Sequence, residues 1–279
     1  MARAKAQVIH YPTCVRHLKP RKDVRLRHYF LCDKCASTWT KDAFDGNEPL
    51  AVGESLSGIC QLCNERTKVR LRTWFLCDIC HRVAGSIGRN HVAEQGILDW
   101  WAHAVTPRIP YLRIEQNDLS ALRPRRDGDI SGEGPLDFLI RDKRSGKVAF
   151  GIENKTGRSS LRDMSAFQLD ISDCDSILHH IRSLSVPAYL IHAQVLEVWT
   201  PPTHGFEVHG LWWTDIYRMA EHFRDVRIRR DERRGAAFFR KSAFEDVATL
   251  VDHICDDDAN LRLVRQFKQK GVPELYQLD

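Results

Sequence analysis

Two patterns of side chains in this sequence can carry chemistry. The first is a set of thiols and one imidazole within the first 80 residues: Cys14 and His17, Cys32 and Cys35, Cys60 and Cys63, Cys77 and Cys80. Each pair has the two-residue gap from which a tight turn can hold one tetrahedral zinc ion. The second is two carboxylates and an amine, Asp137, Glu153 and Lys155, in the segment PLDFLIRDKRSGKVAFGIENKTG (135–157). Carboxylate oxygens suit Mg2+. A lysine beside them can polarise an attacking water or stabilise charge on a pentavalent phosphate.

The thiol pairs are joined by strand-like segments that repeat. KDVRLRHYFLCDKC (22–35) aligns without a gap on TKVRLRTWFLCDIC (67–80). Read along the chain, the ligands form two consecutive sets: Cys14, His17, Cys32 and Cys35, then Cys60, Cys63, Cys77 and Cys80. Each set predicts one zinc ribbon. His17 takes the place of Cys63 in the repeat, ahead of His10 and His28. In the first copy Val24, Leu26, His28 and Phe30 alternate with Arg25, Arg27 and Tyr29. In the second, Val69, Leu71, Thr73 and Phe75 alternate with Arg70, Arg72 and Trp74. Each copy thus predicts a strand face with two arginines and an aromatic, suited to phosphates and to stacking or packing. Units this small fold with the help of the metal. Residues 43–55 read as a linker, and a second boundary is expected near Gly85–Gly88.

The carboxylates and lysine need a hairpin to meet. Leu136–Ile140 and Val148–Asn154 read as strands around the turn RDKRSGK. Alternation places Val148, Phe150 and Ile152 on one face and Ala149, Gly151, Glu153 and Lys155 on the other. The two small residues predict room for a substrate or metal on the Glu153 face. A helix is expected over 90–104, a polar loop over 115–134, a helix over Ser165–Leu184 and an apolar strand over Val186–Val195. Trp100, Trp101, Trp212, Trp213 and His192 read as core, and Cys174 and Cys255 as isolated thiols. Segment 242–272 reads as amphipathic helices.

This layout, with Pro135, Asp137 and Glu153-Asn154-Lys155, resembles the PD-(D/E)XK or restriction-endonuclease-like nucleases. Proline and aspartate are separated here by Leu136, and Asn154 stands where an apolar residue is usual. The resemblance implies an α/β fold: a restriction-endonuclease-like mixed-sheet core preceded by two small zinc-ribbon modules. It implies Mg2+ on Asp137 and Glu153, with Lys155 assisting catalysis. It also implies a carboxylate from the preceding helix, for which Glu94 is the best placed. A polar residue on the following helix falls to Gln168.

Charge separates the two parts. Residues 1–93 hold 16 Lys and Arg against eight Asp and Glu, while the remainder holds 26 against 29. The basic surplus therefore lies on the zinc segment, where a phosphate backbone would be held. The N-terminus lacks an apolar signal region and no stretch reaches a membrane span, so a reducing cytoplasm is expected. The expected domains are ribbons at 1–42 and 55–86 and a nuclease domain at 90–279. The expected cofactors are two structural Zn2+ and a catalytic Mg2+. The expected partner is double-stranded DNA, contacted by Arg25, Arg27, Arg70 and Arg72. The expected activity is that of a DNA endonuclease of a type II restriction or related defence system, with a homodimer implied. A repair or junction-resolving nuclease is the alternative among enzymes, and a non-catalytic zinc-dependent nucleic-acid-binding protein the alternative outside them.

Overall fold

A computed structural model describes residues 12–15, 18–42, 50–61, 63, 65–116, 136–200, 203–229, 234–257 and 260–277. The chain divides into two compact units, Met1–His91 with Glu197–Glu207, and Val92–Leu196 with Val208–Asp279.

In the first unit a small hairpin, β1 (Thr13–Cys14) and β2 (Lys19–Pro20), leads to β3 (Arg25–Leu31) and helix α1 (Asp33–Asp42). Strands β4 (Leu50–Ile59) and β5 (Arg66–Leu76) follow, then helix α2, which spans Asp78–Trp100 and runs on past His91. The two copies of the repeat do not form separate ribbons. They share one antiparallel sheet of order β3-β5-β4. Arg25 pairs with Leu76, His28 with Thr73 and Leu31 with Arg70. His28 and Thr73 are equivalent residues of the repeat, so the copies pair with each other about a local two-fold axis through that pair.

Several features of this unit depart from the sequence reading. The linker expected over 43–55 gives way at Leu50 to β4, which pairs with β5. The Gly85–Gly88 boundary is helical throughout. Glycine at 88 serves close approach instead of a turn: a Cβ there would lie 2.8 Å from the Phe206 ring and 3.1 Å from the Gln61 carbonyl.

The second unit is mixed α/β. Strands β6 (Leu112–Gln116), β7 (Phe138–Asp142) and β8 (Val148–Gly157) form an antiparallel meander. The chain then passes through β9 (Phe167–Asp170) and helix α3 (Ile171–Leu184) into β10 (Ala188–Thr200), which pairs parallel to β8. With β11 (Thr203–Asp215), helix α4 (Ile216–Glu221), β12 (Phe223–Arg229), β13 (Arg234–Phe239) and β14 (Glu245–Asp246), the main sheet has the order β14-β11-β10-β8-β7-β6. A smaller sheet, β12-β13-β9, lies apart from it in pairing. Helix α5 (Leu250–Ile254), a short antiparallel pair β15 (Cys255–Asp257) and β16 (Asn260–Leu261), and helix α6 (Arg262–Lys270) follow, so the segment expected as helices over 242–272 is only partly helical.

The apolar faces predicted for the hairpin are buried. Phe138, Ile140, Phe150 and Ile152 join Trp101, Tyr189, Trp213 and the inner face of α3 in one core. Trp212 and His192 are also buried. The helix expected over Ser165–Leu184 begins only at Ile171. Phe167 and Leu169 are buried while Gln168 and Asp170 are exposed, a period of two that belongs to a strand. Among the described residues no helix is long and apolar enough to cross a membrane.

Candidate metal and active site

The local two-fold axis of the first unit decides which thiols meet. Antiparallel pairing lays the end of each copy's strand beside the start of the other's. Cys32 and Cys35, which follow β3, therefore meet Cys60 and Cys63, which precede β5. Cys77 and Cys80, which follow β5, meet Cys14. The grouping is interleaved, not consecutive as the sequence order suggested. His17 lies outside the described residues.

Equivalent hydrogen bonds repeat across the axis. Val15 N–H donates to the Phe75 carbonyl at 2.9 Å, and Gln61 N–H to the Phe30 carbonyl at 3.0 Å. Cys32 N–H points at the Cys60 sulfur (3.3 Å) and Cys77 N–H at the Cys14 sulfur (3.5 Å). Such N–H···S bonds favour thiolates.

The donor sets fit zinc. Within each group the sulfur atoms lie within 4.8 Å of one another. The Cys14 and Cys80 sulfurs are 3.7 Å apart, far too long for a disulfide. That distance matches the edge of a tetrahedron with Zn–S bonds of about 2.3 Å, which is about 3.8 Å. Burial, with Cys77 and Cys14 alongside, holds the Cys80 thiol well above its ordinary pKa. A cation would relieve that crowding.

The arginine and aromatic face is the inner one. Tyr29 and Trp74 are buried edge to face at 5.7 Å, and the Tyr29 hydroxyl meets His81 Nδ1 at 2.8 Å. The cross-strand partners Leu26 and Phe75 are the exposed pair instead. Arg27 reaches Asp78 at 2.5 Å and Arg72 reaches Asp33 at 2.6 Å, again related by the axis. Each guanidinium thus ties one copy's strand to the first turn of the helix after the other copy's. Arg25 is exposed and folds toward the Lys22 and Val24 carbonyls, and Arg70 is half-buried.

In the second unit the hairpin register sets the carboxylates. Phe138 pairs with Ile152, so Asp137, one residue before β7, faces the Glu153–Asn154 stretch of β8. There its Oδ2 accepts the Asn154 backbone N–H at 2.6 Å. Asn154 itself is buried on the core face, its amide 3.4 Å from the Thr156 hydroxyl. Glu94 is buried on α2 and accepts a hydrogen bond from Gln116 Nε2 at 2.8 Å. Gln116 ends β6 directly beside Phe138. Lys155 Nζ lies 3.0 Å from Glu153 Oε1 and 3.2 Å from Asp173 Oδ1, in the first turn of α3.

The room expected beside Gly151 is taken. A Cβ there would fall 2.3 Å from Leu136 Cδ1, so glycine lets Leu136 pack down and Asp137 follow it. Gln168 is exposed on β9 rather than on the following helix. Asp173 stands on that helix instead. Asp173 and Gln116 carry no sequence signal of their own: each reaches the site only once the sheet has formed.

The carboxyls act on one another. Burial, then Glu153 and Glu94, hold the Asp137 carboxyl well above the usual range. Burial also raises Glu153, against the pull of Lys155. Glu94 is pushed up to about 7 by burial, with Glu153 adding to it and Gln116 opposing. Burial disfavours the Lys155 charge, but Glu153 and Asp173 outweigh it and keep the lysine firmly protonated. Among the described residues the carboxylate oxygens do not cluster within 4.8 Å as the thiols do. A divalent cation that keeps water ligands needs only one or two carboxylates. Carboxyls whose acidity is suppressed by burial and by one another are a donor set that such a cation would stabilise.

No protein-family model matches the chain, and no curated protein matches it. Among solved structures it is similar to Hjc, a Holliday junction resolvase from Archaeoglobus fulgidus, with 12% identity and a TM-score of 0.31. The similarity covers 56% of this chain and 94% of that one. A likeness so slight identifies neither a family nor an activity.

Proposed function

We propose that the protein is a metal-dependent DNA endonuclease of the PD-(D/E)XK kind, serving a type II restriction or related defence role, with a zinc-held unit that grips the DNA. One observation carries this reading. Glu94 on α2 is bonded to Gln116 beside Phe138, Asp137 on the approach to β7 accepts the Asn154 N–H, and Glu153 on β8 holds Lys155, so three carboxyls and an ammonium meet at neighbouring positions of one sheet. Asp137 and Glu153 would hold Mg2+, which when bound supplies positive charge against the phosphodiester and acidifies the attacking water. The Asn154 N–H fixes one Asp137 oxygen and leaves the other for the cation. The Lys155 ammonium, held by Glu153 and Asp173, would donate to a phosphate oxygen as negative charge builds there. Glu94, titrating near neutrality, can take or return a proton at its carboxylate oxygen. Zinc on the interleaved cysteine sets, with His17 proposed as the eighth ligand, would cross-link the two copies and do no chemistry.

The test is cleavage of duplex plasmid and of a four-way junction with Mg2+, by the wild type, Asp137→Ala and Lys155→Ala. The wild type is expected to cut. Both variants are expected to lose at least about a hundredfold in rate while binding DNA equally well. Preference for the junction would move the biological role to resolution. Binding with no cutting of either substrate, methylated or not, would replace the enzyme with a DNA-binding zinc protein.

A further inference from the structure

An ammonium has three N–H donors. Lys155 directs two of them to carboxylates on different elements, Glu153 on its own strand and Asp173 on α3. In the nuclease reading, on which this inference rests, Glu153 is required by the cation. A carboxylate oxygen that takes a divalent cation cannot also hold a neighbouring ammonium at full strength, because the two positive charges repel. A lysine anchored to Glu153 alone would therefore either lose its place when metal arrives or hold Glu153 away from it. Asp173 resolves that conflict, since it stands on a different element, the first turn of α3, and its side chain is 41% exposed. We propose that Asp173 is the positioning residue of this site: it holds the Lys155 ammonium when Glu153 turns to the cation, so that the third N–H points at a phosphate oxygen or the attacking water. The resemblance implies a polar residue on this helix at Gln168, which the fold leaves on a strand.

The charged and titratable groups acting on Lys155 are Asp137 before β7, Glu153 on β8, and Asp173 and Cys174 on α3, with His192 beside it on β10. Asp173 can be neutralised without changing its shape. The experiment uses the full chain with Asp173→Asn and Asp173→Glu, and its first reading needs neither DNA nor metal at the carboxylates. Lys155 is modified with an amine-reactive reagent, which an ammonium held by two carboxylates resists, and mass spectrometry compares it with exposed Lys147. Asp173→Asn is expected to raise Lys155 modification several-fold relative to Lys147, and Asp173→Glu to restore the wild-type ratio. In calorimetry without DNA, Asp173→Asn is expected to need several-fold more Mg2+ or Mn2+ to reach half-saturation. In cleavage kcat falls while KM for DNA stays near wild type. An Asp173→Asn protein with wild-type Lys155 reactivity overturns the proposal, as does an unchanged metal midpoint. A wild type that cuts no DNA sinks the nuclease reading and leaves the lysine anchor to be decided by the modification ratio.

Discussion

At the scale of single residues, the site is a balance of buried carboxyls against one ammonium, and that balance gives the protein a pH dependence. Glu94 has its pKa raised from 4.5 to about 7, chiefly by burial. A carboxyl raised on folding favours the folded state fully below its unfolded pKa, and that contribution is lost as pH rises through the folded value. Without added divalent cation, the protein is therefore expected to lose stability between about pH 4.5 and 7, by about 3 kcal/mol from Glu94. Asp137 and Glu153, also raised, add in the same direction. Glu94→Gln keeps the shape and cannot ionise, so its thermal midpoint is expected to match wild type near pH 5 and to exceed it near pH 8. Added Mg2+ is expected to stabilise the wild type above pH 7. If melting curves of the two proteins fall in parallel across that range, Glu94 does not carry the strain assigned to it. That Asp137, Glu153 and Lys155 lie together was legible in the sequence because a hairpin with period-two alternation brings them close within 19 residues. Gln116 and Asp173 were not, because a side chain that completes a site from a neighbouring strand or helix has no local pattern to betray it.

At the scale of elements, the repeat was legible and its pairing was not. A gapless duplication is visible in the letters, but whether each copy closes on itself or on its twin depends on strand pairing. Here Arg25 to Leu76 and Leu31 to Arg70 close copy on copy. Zinc stoichiometry distinguishes the two arrangements. Cys14→Ser with Cys77→Ser strikes one group of the interleaved pair, and one zinc per chain is expected to remain. Cys14→Ser with Cys32→Ser strikes both groups, and no tightly held zinc is expected. Consecutive ribbons would give the reverse, and cobalt substitution would report the thiolate count of whichever site survives. The misread start of α3 has a similar origin: Phe167 and Leu169 fit the inner face of either element, and pairing with Ala237 and Phe239 of β13 settles the strand. Gly151 was read as open space although a neighbour fills it. Gly151→Ala drives a methyl into Leu136, so a loss of about 1–3 kcal/mol in stability is expected from overpacking. Because Asp137 follows Leu136, cleavage is expected to fall further than stability alone accounts for. Leu136→Ala in the same chain is expected to recover part of both losses, and no recovery would mean that the clash lies elsewhere.

At the scale of the whole molecule, charge is unevenly divided along the chain. The basic surplus lies in residues 1–93, and the coupled carboxylates lie in the unit that begins at Val92. That separation was legible from counting alone, whereas the work done by each arginine was not. All four strand arginines looked equivalent in the repeat. Two of them, Arg27 and Arg72, spend their charge on Asp78 and Asp33, with their stems lying along the buried aromatic face. They are braces between the copies. Arg25 and Arg70 make no such ion pair among the described residues, and in the nuclease reading they are the two proposed to meet a phosphate backbone. The two classes predict different losses. Each phosphate contact removed lowers the slope of log affinity against log salt by about 0.9. Arg25→Ala with Arg70→Ala is thus expected to weaken duplex binding and flatten that slope by about 2, with the zinc content and melting temperature of the protein unchanged. Arg27→Ala with Arg72→Ala is expected to destabilise the zinc-held unit by about 1 kcal/mol per pair at most, since both aspartates are well exposed, and to leave the slope of the folded protein near wild type. Titrations at several salt concentrations read both effects together. An unchanged slope in the Arg25 and Arg70 variant would remove this strand from the DNA interface and send the search to other basic residues of the same unit.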